Sequence, residues 1–194
     1  SVREGEALIL KINGTTDQVR IDGYFSNDGV NSRHIEEIRF TDSPETVWML
    51  QDIKAQVLVG TANNDTLIGY ALADTINGGD GSDSISGRDG DDFINGGNGN
   101  DGLAGENGND VLRGAAGNDT LQGGAGDDIL DGGAGNDILA GGRYDTWNGR
   151  YDGWGNDTYL FGRGDGQDAI VDDDTSVGNV DKIEATDDFT IVFT

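Results

Sequence analysis

One aspartate recurs every nine residues between positions 60 and 140, in a span that contains neither histidine nor cysteine. It is the sixth residue of a nonapeptide that runs without interruption from Gly60 to Ala140. The nine members are Asp65, Asp74, Asp83, Asp92, Asp101, Asp110, Asp119, Asp128 and Asp137. Carboxylate oxygens without nitrogen or sulfur donors favour calcium over zinc or copper. The spacing therefore predicts a series of calcium sites and indicates no catalytic residues.

Two other positions of the nonapeptide are as regular as the aspartate. The first residue is Gly in all nine copies, and the eighth is Leu or Ile. Glycine allows close approach and positive φ, so positions one to six are predicted to form a tight turn. Positions seven to nine are predicted to form a short strand that points the eighth residue into a common core. Two copies would complete one coil, so copies i and i+2 would stack in one parallel sheet.

Such stacking would align the aspartates along both edges of the coil. Two bare carboxylates about 5 Å apart would repel by roughly 3 kcal/mol at an effective dielectric of about 20, and a divalent cation between them would reverse the sign. The aliphatic core alone is too small to offset the ordering of a Gly-rich chain. The sequence therefore predicts a region that is disordered without calcium and folds on about seven calcium ions, or about eight if Asp157 contributes.

The composition agrees with a cation-binding module. The chain has 194 residues, with 37 acidic and 12 basic side chains and a formal net charge of −25. This charge disfavours nucleic acid and anionic membranes as partners. Cysteine is absent, so no disulfide framework is possible, and the apolar runs are too short to cross a bilayer. The pattern thus predicts cations as the ligands of this segment.

The segments that flank the repeats differ from them in composition, which predicts three parts. Residues 1–59 alternate apolar and polar side chains and predict a mainly β cap, with a hairpin turn at Asn13-Gly14. Residues 60–140 are the nine nonapeptides. Residues 141–194 are predicted to contain a degenerate copy around Asp157 and a second β cap, with strands at Ala169–Val171 and Phe189–Phe193.

The nonapeptide resembles that of the RTX (repeats-in-toxin) family of Gram-negative secreted proteins. The resemblance implies an all-β fold, a right-handed parallel β-roll with small mixed β caps, in which the sixth-position aspartates and turn carbonyls bind calcium. It carries over to all nine aspartates and to Asp157. The turns of Asp65 and Asp74 depart from the pattern, because Asn63 and Leu72 replace a glycine. Residues 157–168 resemble the segment that closes RTX blocks. Residues 8–25 together with 35–48 resemble the haemolysin-type calcium-binding-related segment found between blocks in multi-block toxins.

The same resemblance implies a non-enzymatic, monomeric module of a larger secreted polypeptide, exported by type I secretion and folded by calcium outside the cell. A polysaccharide-binding or adhesin module on the same calcium-loaded roll is the alternative. Positions seven and nine vary between copies, as at Ser84, Phe93 and Ile129, which disfavours recognition of a repeating ligand.

An aromatic insertion follows the last regular copy. It spans residues 143–154 and carries Tyr144, Trp147, Tyr151 and Trp154. Two interpretations stay open at this point: a cap over the end of the roll, or a ligand-binding surface.

Overall fold

The computed structural model describes residues 2–4, 7–11, 18–21, 37–40, 43–49, 58–145, 150–152, 155–172 and 179–185. The chain divides into two compact units, Ser1–Leu58 and Val59–Thr194. In the described ranges the regular elements are all strands. No helix in these ranges is long and apolar enough to cross a membrane.

The first unit contains five strands. Strands β1 (Val2–Glu4), β2 (Ala7–Lys11) and β3 (Gln18–Ile21) form an antiparallel sheet in that order. Strands β4 (Glu37–Phe40) and β5 (Ser43–Met49) form a second antiparallel pair. Strands β2 and β3 pair antiparallel, as strands joined by a hairpin would. The predicted turn at Asn13-Gly14 lies outside the described residues.

The second unit is a parallel solenoid. Its repeat strands are β6 (Thr66–Ile68), β7 (Thr75–Asp80), β8 (Ser84–Asp89), β9 (Phe93–Asn98), β10 (Gly102–Asn107), β11 (Val111–Ala116), β12 (Thr120–Ala125), β13 (Ile129–Ala134) and β14 (Ile138–Ala140). After them come β15 (Arg143–Asp145), β16 (Arg150–Asp152), β17 (Thr158–Phe161), β18 (Ala169–Ile170) and β19 (Lys182–Ala185). Sheet 1 has the order β6-β8-β10-β12-β14-β18, and sheet 2 has the order β7-β9-β11-β13-β17-β19.

Within each sheet, the strand of one copy pairs with the strands of the copies two repeats before and two repeats after it. Leu103, for example, pairs in register with Ile85 on one side and with Leu121 on the other. Consecutive copies therefore alternate between the two sheets, and two copies complete one coil. This register confirms the predicted stacking of copies i and i+2 and the all-β parallel fold.

The eighth residue of each copy lies between the two sheets. Six of these side chains have no exposed surface: Ile76, Ile94, Leu112, Leu121, Leu130 and Leu139. One aliphatic residue per copy thus forms a continuous core along the solenoid, as the sequence predicted.

The predicted boundary between turn and strand is wrong. A typical strand such as β7 runs from position seven of one copy to position three of the next, so the turn covers positions four to six only. The left-handed glycines are at positions two and four, as in Gly79 (φ 104°) and Gly81 (φ 113°). The first-position glycine is instead a buried strand residue, because strand alternation points it inward beside the eighth residue.

The aromatic insertion leaves the solenoid without disturbing its register. Strands β15 and β16 form an antiparallel hairpin between β14 and β17. Beyond it, β17 pairs in parallel with β13, and β18 pairs with β14. The aromatic residues Trp147 and Trp154, on which the cap and ligand-surface interpretations depend, lie outside the described residues. The predicted strand at Ala169–Val171 is present as β18, while that at Phe189–Phe193 also lies outside the described residues.

Candidate metal centre

The solenoid places the sixth-position aspartates in two rows, one along each line of turns. Each aspartate is the last turn residue before a strand. Row 1 precedes the strands of sheet 1 and contains Asp65, Asp83, Asp101, Asp119 and Asp137. Row 2 precedes the strands of sheet 2 and contains Asp74, Asp92, Asp110, Asp128 and Asp157. All ten predicted site residues therefore lie in the two rows.

From Asp83 onward, one oxygen of each row aspartate links neighbouring coils. The backbone N–H of Asp83 donates to Oδ1 of Asp101 at 2.8 Å, and that of Asp92 donates to Oδ1 of Asp110 at 2.8 Å. The series continues across the insertion, where the N–H of Asp128 donates to Oδ1 of Asp157 at 2.9 Å. A buried backbone N–H requires an acceptor, so this oxygen has a structural role. Sequence reasoning missed it, because the bond depends on the relative height of two turns.

The second oxygen has no donor in most copies. Seven Oδ2 atoms are buried and accept no hydrogen bond, namely those of Asp83, Asp92, Asp101, Asp110, Asp119, Asp128 and Asp137. A buried acceptor without a partner costs free energy, and a charged one costs more. Seven such Oδ2 atoms occur in register, and at each of them a bound cation would offset the cost of burying a charged oxygen.

Each such oxygen points at the first-position glycine of its own copy. A Cβ atom built on Gly105 would collide with Oδ2 of Asp110 and would lie 2.6 Å from the carbonyl oxygen of Gly123, one coil further. Gly114 faces Asp119 and the carbonyl of Gly132 in the same way. A carboxylate oxygen and a glycine carbonyl oxygen thus converge beside a residue that must lack a side chain.

This donor set fits a hard cation such as calcium, which binds carboxylate and carbonyl oxygens together with water. In the described part of the chain, no three Asp, Glu, His or Cys side chains converge on one point. Backbone carbonyls and water would therefore have to complete the coordination, as the turn geometry allows.

Burial sets the electrostatics of the rows. It raises the pKa of Asp92 to about 7 and that of Asp128 to about 8. It also raises the pKa values of Asp110, Asp119 and Asp157 to about 6. The backbone hydrogen bond to each carboxylate lowers the pKa, and neighbouring carboxylates raise it by smaller amounts than burial. Loss of hydration is therefore a larger cost of leaving these aspartates charged than the repulsion between them that the sequence predicts.

The first two copies differ from the rest at Oδ2. Oδ2 of Asp65 accepts the backbone N–H of Thr61 at 2.7 Å and its hydroxyl at 2.8 Å. Oδ2 of Asp74 accepts the backbone N–H of Tyr70 at 2.5 Å. Thr61 and Tyr70 occupy position two of their copies. Asp65 and Asp74 therefore join the rows, but their second oxygen already has a donor from its own turn.

Two further aspartates extend the rows beyond the predicted set. The N–H of Asp137 donates to Oδ1 of Asp168, and that of Asp157 donates to Oδ1 of Asp181, both at 2.9 Å. Asp168 continues row 1 and Asp181 continues row 2. The signal was present in the sequence: residues 164–170 read Gly-Asp-Gly-Gln-Asp-Ala-Ile, which matches positions two to eight of a copy.

Tyr159 distinguishes the Asp157 site from those before it. It stands at position eight and is 1% exposed. Its hydroxyl accepts the N–H of Gly141 at 2.9 Å and lies 3.3 Å from Oδ2 of Asp172, to which it donates. Beside Gly141 this hydroxyl stands where the first-position glycines from Gly60 to Gly123 face a glycine carbonyl. The regular donor set therefore ends at this coil.

A second series of bonds involves position five. The N–H of Asn118 donates to Oδ1 of Asn100, and the N–H of Asp127 donates to Oδ1 of Asn109, both at 2.8 Å. Here the side chain accepts from the following coil, whereas the aspartate of position six accepts from the preceding one. The recurrence of Asn, Asp and Ser at position five was the available signal, and sequence reasoning did not use it.

Comparison with known families gives two matches. A model described as the RTX calcium-binding nonapeptide repeat matches residues 55–71, 68–103 and 104–142. A model described as the haemolysin-type calcium binding protein related domain matches residues 8–51. The search of curated proteins finds no match to the chain. The two matched regions correspond to the repeats and to the flanking segment for which the sequence indicated a resemblance.

Proposed function

Because residues 55–142 are RTX calcium-binding repeats folded as a parallel β-solenoid, we propose that the chain is a calcium-triggered folding module. In this proposal the repeats are disordered without calcium and form a rigid roll when several calcium ions bind. The ligands are the nine sixth-position aspartates and Asp157, together with turn carbonyls, on about seven or eight ions.

The observation that carries the proposal is the set of seven buried Oδ2 atoms without a hydrogen-bond donor. At neutral pH an ordered roll without cations would have to keep these oxygens charged and dehydrated, or else protonated. Calcium would supply positive charge at the point where six of these oxygens, all except that of Asp137, face a glycine carbonyl. Binding free energy and folding free energy are then one linked quantity.

The cellular setting is part of the same proposal. A calcium-poor cytosol would keep the repeats extended for export by type I secretion, and calcium outside the cell would fold them. The module would belong to a larger secreted RTX polypeptide, and it would position the neighbouring domains rather than catalyse a reaction. The net charge of −25 supports cations rather than nucleic acid or anionic lipid as its partners.

Circular dichroism of the full chain tests the proposal. Calcium titrated into chelator-treated protein should produce a β-rich spectrum with a sharp midpoint, whereas magnesium at the same concentration should not. Metal analysis of the dialysed, folded protein should then give about seven or eight calcium ions per chain. A β-rich spectrum of equal intensity in chelator would refute calcium-triggered folding.

The outer faces give less support to a polysaccharide-binding or adhesin module. Position seven of sheet 2 carries Phe93, Val111 and Ile129 in adjacent strands. Position seven of sheet 1 carries Ser84, Gly102 and Thr120 and then the apolar Ile138. Neither column repeats one polar or aromatic side chain, as recognition of a repeating saccharide would favour.

A further inference from the structure

The two rows of aspartates differ in the charge of the residue that precedes each of them, at position five. In row 1 these residues are all neutral: Asn64, Ser82, Asn100, Asn118, Asn136 and, before Asp168, Gln167. In row 2 two of them are acidic, Asp91 and Asp127. The asymmetry follows from the coil of two copies, which sends odd-numbered and even-numbered copies to opposite edges.

The position-five bonds hold these two extra carboxylates in place. Oδ1 of Asp91 accepts the N–H of Asn109 at 2.9 Å. Oδ1 of Asp127 accepts both the backbone N–H of Asn156 at 2.7 Å and its side-chain N–H at 3.1 Å. Each carboxylate is therefore fixed in its turn, one residue before a row 2 aspartate.

Row 2 aspartates experience these charges. Asp91 is among the groups that raise the pKa values of Asp92 and Asp110, and Asp127 is among those that raise that of Asp128. Asp92, Asp110 and Asp128 are each at least 98% buried, and their Oδ2 atoms have no donor. Each extra carboxylate thus acts on a site that already lacks a positive partner.

The interior of row 1 has no equivalent. Among the described residues, the charges that raise the pKa of Asp101 and Asp119 belong to row 1 itself. Carboxylates outside the row, Asp131 and Asp165, raise the pKa of Asp137 near its end. Two other exposed carboxylates, Asp80 and Asp89, stand at position three of consecutive copies. Since they add one charge to each edge, they do not distinguish the rows, which makes them suitable controls.

We propose that the two rows are two classes of calcium site, and that Asp91 and Asp127 give row 2 the higher calcium affinity. The inference rests on the proposed function, because it concerns the same calcium sites. A fixed negative charge near a divalent cation slows its departure without binding it directly. Asp91 and Asp127 are thus positioning charges rather than ligands, and exposure to water limits each effect to roughly threefold to tenfold.

Stopped-flow release of calcium from the loaded full-length chain into a fluorescent chelator tests this proposal. We expect two phases, with the slower one assigned to row 2. The double variant Asp91→Asn, Asp127→Asn should accelerate the slow phase roughly threefold to tenfold and leave the fast phase unchanged. The gain-of-charge variant Asn100→Asp, which preserves an acceptor oxygen for Asn118, should instead slow part of the fast phase.

The matched control is the double variant Asp80→Asn, Asp89→Asn. It removes the same total charge as Asp91→Asn, Asp127→Asn, but it takes one charge from each edge. It should change both phases to a similar and smaller extent. A single release phase in the unmodified chain would overturn the proposal. Equal effects of the two double variants would also overturn it, because the position of the charge would then be irrelevant. Asn100→Asp remains informative if Asp91→Asn, Asp127→Asn does not fold.

Circular dichroism of each protein in calcium separates this test from that of the proposed function. Normal calcium-dependent folding with one class of release rate would refute the two classes and leave the folding module intact. An unmodified chain that does not respond to calcium would refute the folding module itself.

Discussion

The first two copies and the central copies carry the same aspartate at the same position, yet they treat its second oxygen differently. In the second copy, Oδ2 of Asp74 accepts a backbone N–H from Tyr70 of its own turn. In the central copies, Oδ2 of Asp110 and its neighbours accepts none. The residue at position two explains the contrast, because in the central copies it is left-handed, as at Gly97 or Ala115, and at Tyr70 it is not. A turn can therefore satisfy its own aspartate or leave it for a cation.

The largest expected effect comes from filling the space beside a central aspartate. In Gly105→Ala the new Cβ would meet Oδ2 of Asp110 and the carbonyl of Gly123, neither of which can move without breaking the coil. We expect loss of calcium-induced β structure, or a destabilisation of about 3 kcal/mol. Circular dichroism of the variant during a calcium titration measures the calcium-induced β structure. The control Gly102→Ala lies three residues away, has its nearest heavy atom at 3.9 Å, and should fold normally.

The next effect compares the two classes of aspartate directly. Asp110→Ala removes both the Oδ2 atom that has no donor and the Oδ1 atom that accepts the N–H of Asp92, so the calcium midpoint of folding should rise by about tenfold. Asp65→Ala removes an oxygen that Thr61 already satisfies, and the midpoint should rise by less than about twofold. Equal shifts in the same titration would mean that the first copy holds its cation as well as a central copy does.

Lowering the pH should stabilise the metal-free fold of the central copies, because protonation removes the charge from their buried carboxylates. The folded pKa values of Asp92 and Asp128 are about 7 and about 8, above the ordinary value of 3.8. A raised folded pKa contributes stability that is fully present below pH 3.8 and is lost as the pH rises through about 6 to 8. In chelator, β structure should therefore increase as the pH falls from about 8 to about 5, and the calcium midpoint should rise because protons compete. A metal-free spectrum that does not change over this range would contradict the burial argument.

The smallest expected effect concerns position two. Ala115 has φ 83°, a conformation in which a side chain is strained. Ala115→Gly should stabilise the calcium-loaded protein by about 0.5 to 1 kcal/mol, measured as a higher urea midpoint. Ala116→Gly, at the next position and without positive φ, should lower the midpoint instead. The opposite order would exclude backbone strain as the reason that glycine predominates at position two of the central copies.

The nine-residue period was sufficient to predict the parallel stacking, the aliphatic core at Leu112 and its equivalents, and the alignment of the aspartates. Local strand limits were not predictable in the same way, since Gly105 and its equivalents have the composition of a turn but are held extended between two neighbouring strands. The different roles of the two carboxylate oxygens, with Oδ1 accepting a backbone N–H and Oδ2 left without a donor, could be seen only from the register of adjacent turns in the structure. Insertions change the offsets of Asp157, Asp168 and Asp181 to 29, 31 and 24 residues, which are not multiples of nine, so the period alone locates none of them. Asp157 was recognised from its degenerate copy, whereas the shorter matches around Asp168 and Asp181 were missed.

The two series of turn bonds point in opposite directions along the solenoid. Asn109 accepts from the coil after it, while Asp110 accepts from the coil before it. Each regular coil is thus hydrogen-bonded to the coil before it and to the coil after it. A coil of eighteen residues is therefore the smallest unit by which the solenoid can be lengthened or shortened. Deleting one nonapeptide would transfer every later copy to the opposite edge. The position-seven side chains of those copies would then join the outer face of the other sheet. Lengthening or shortening of such a protein is therefore expected to proceed in pairs of repeats.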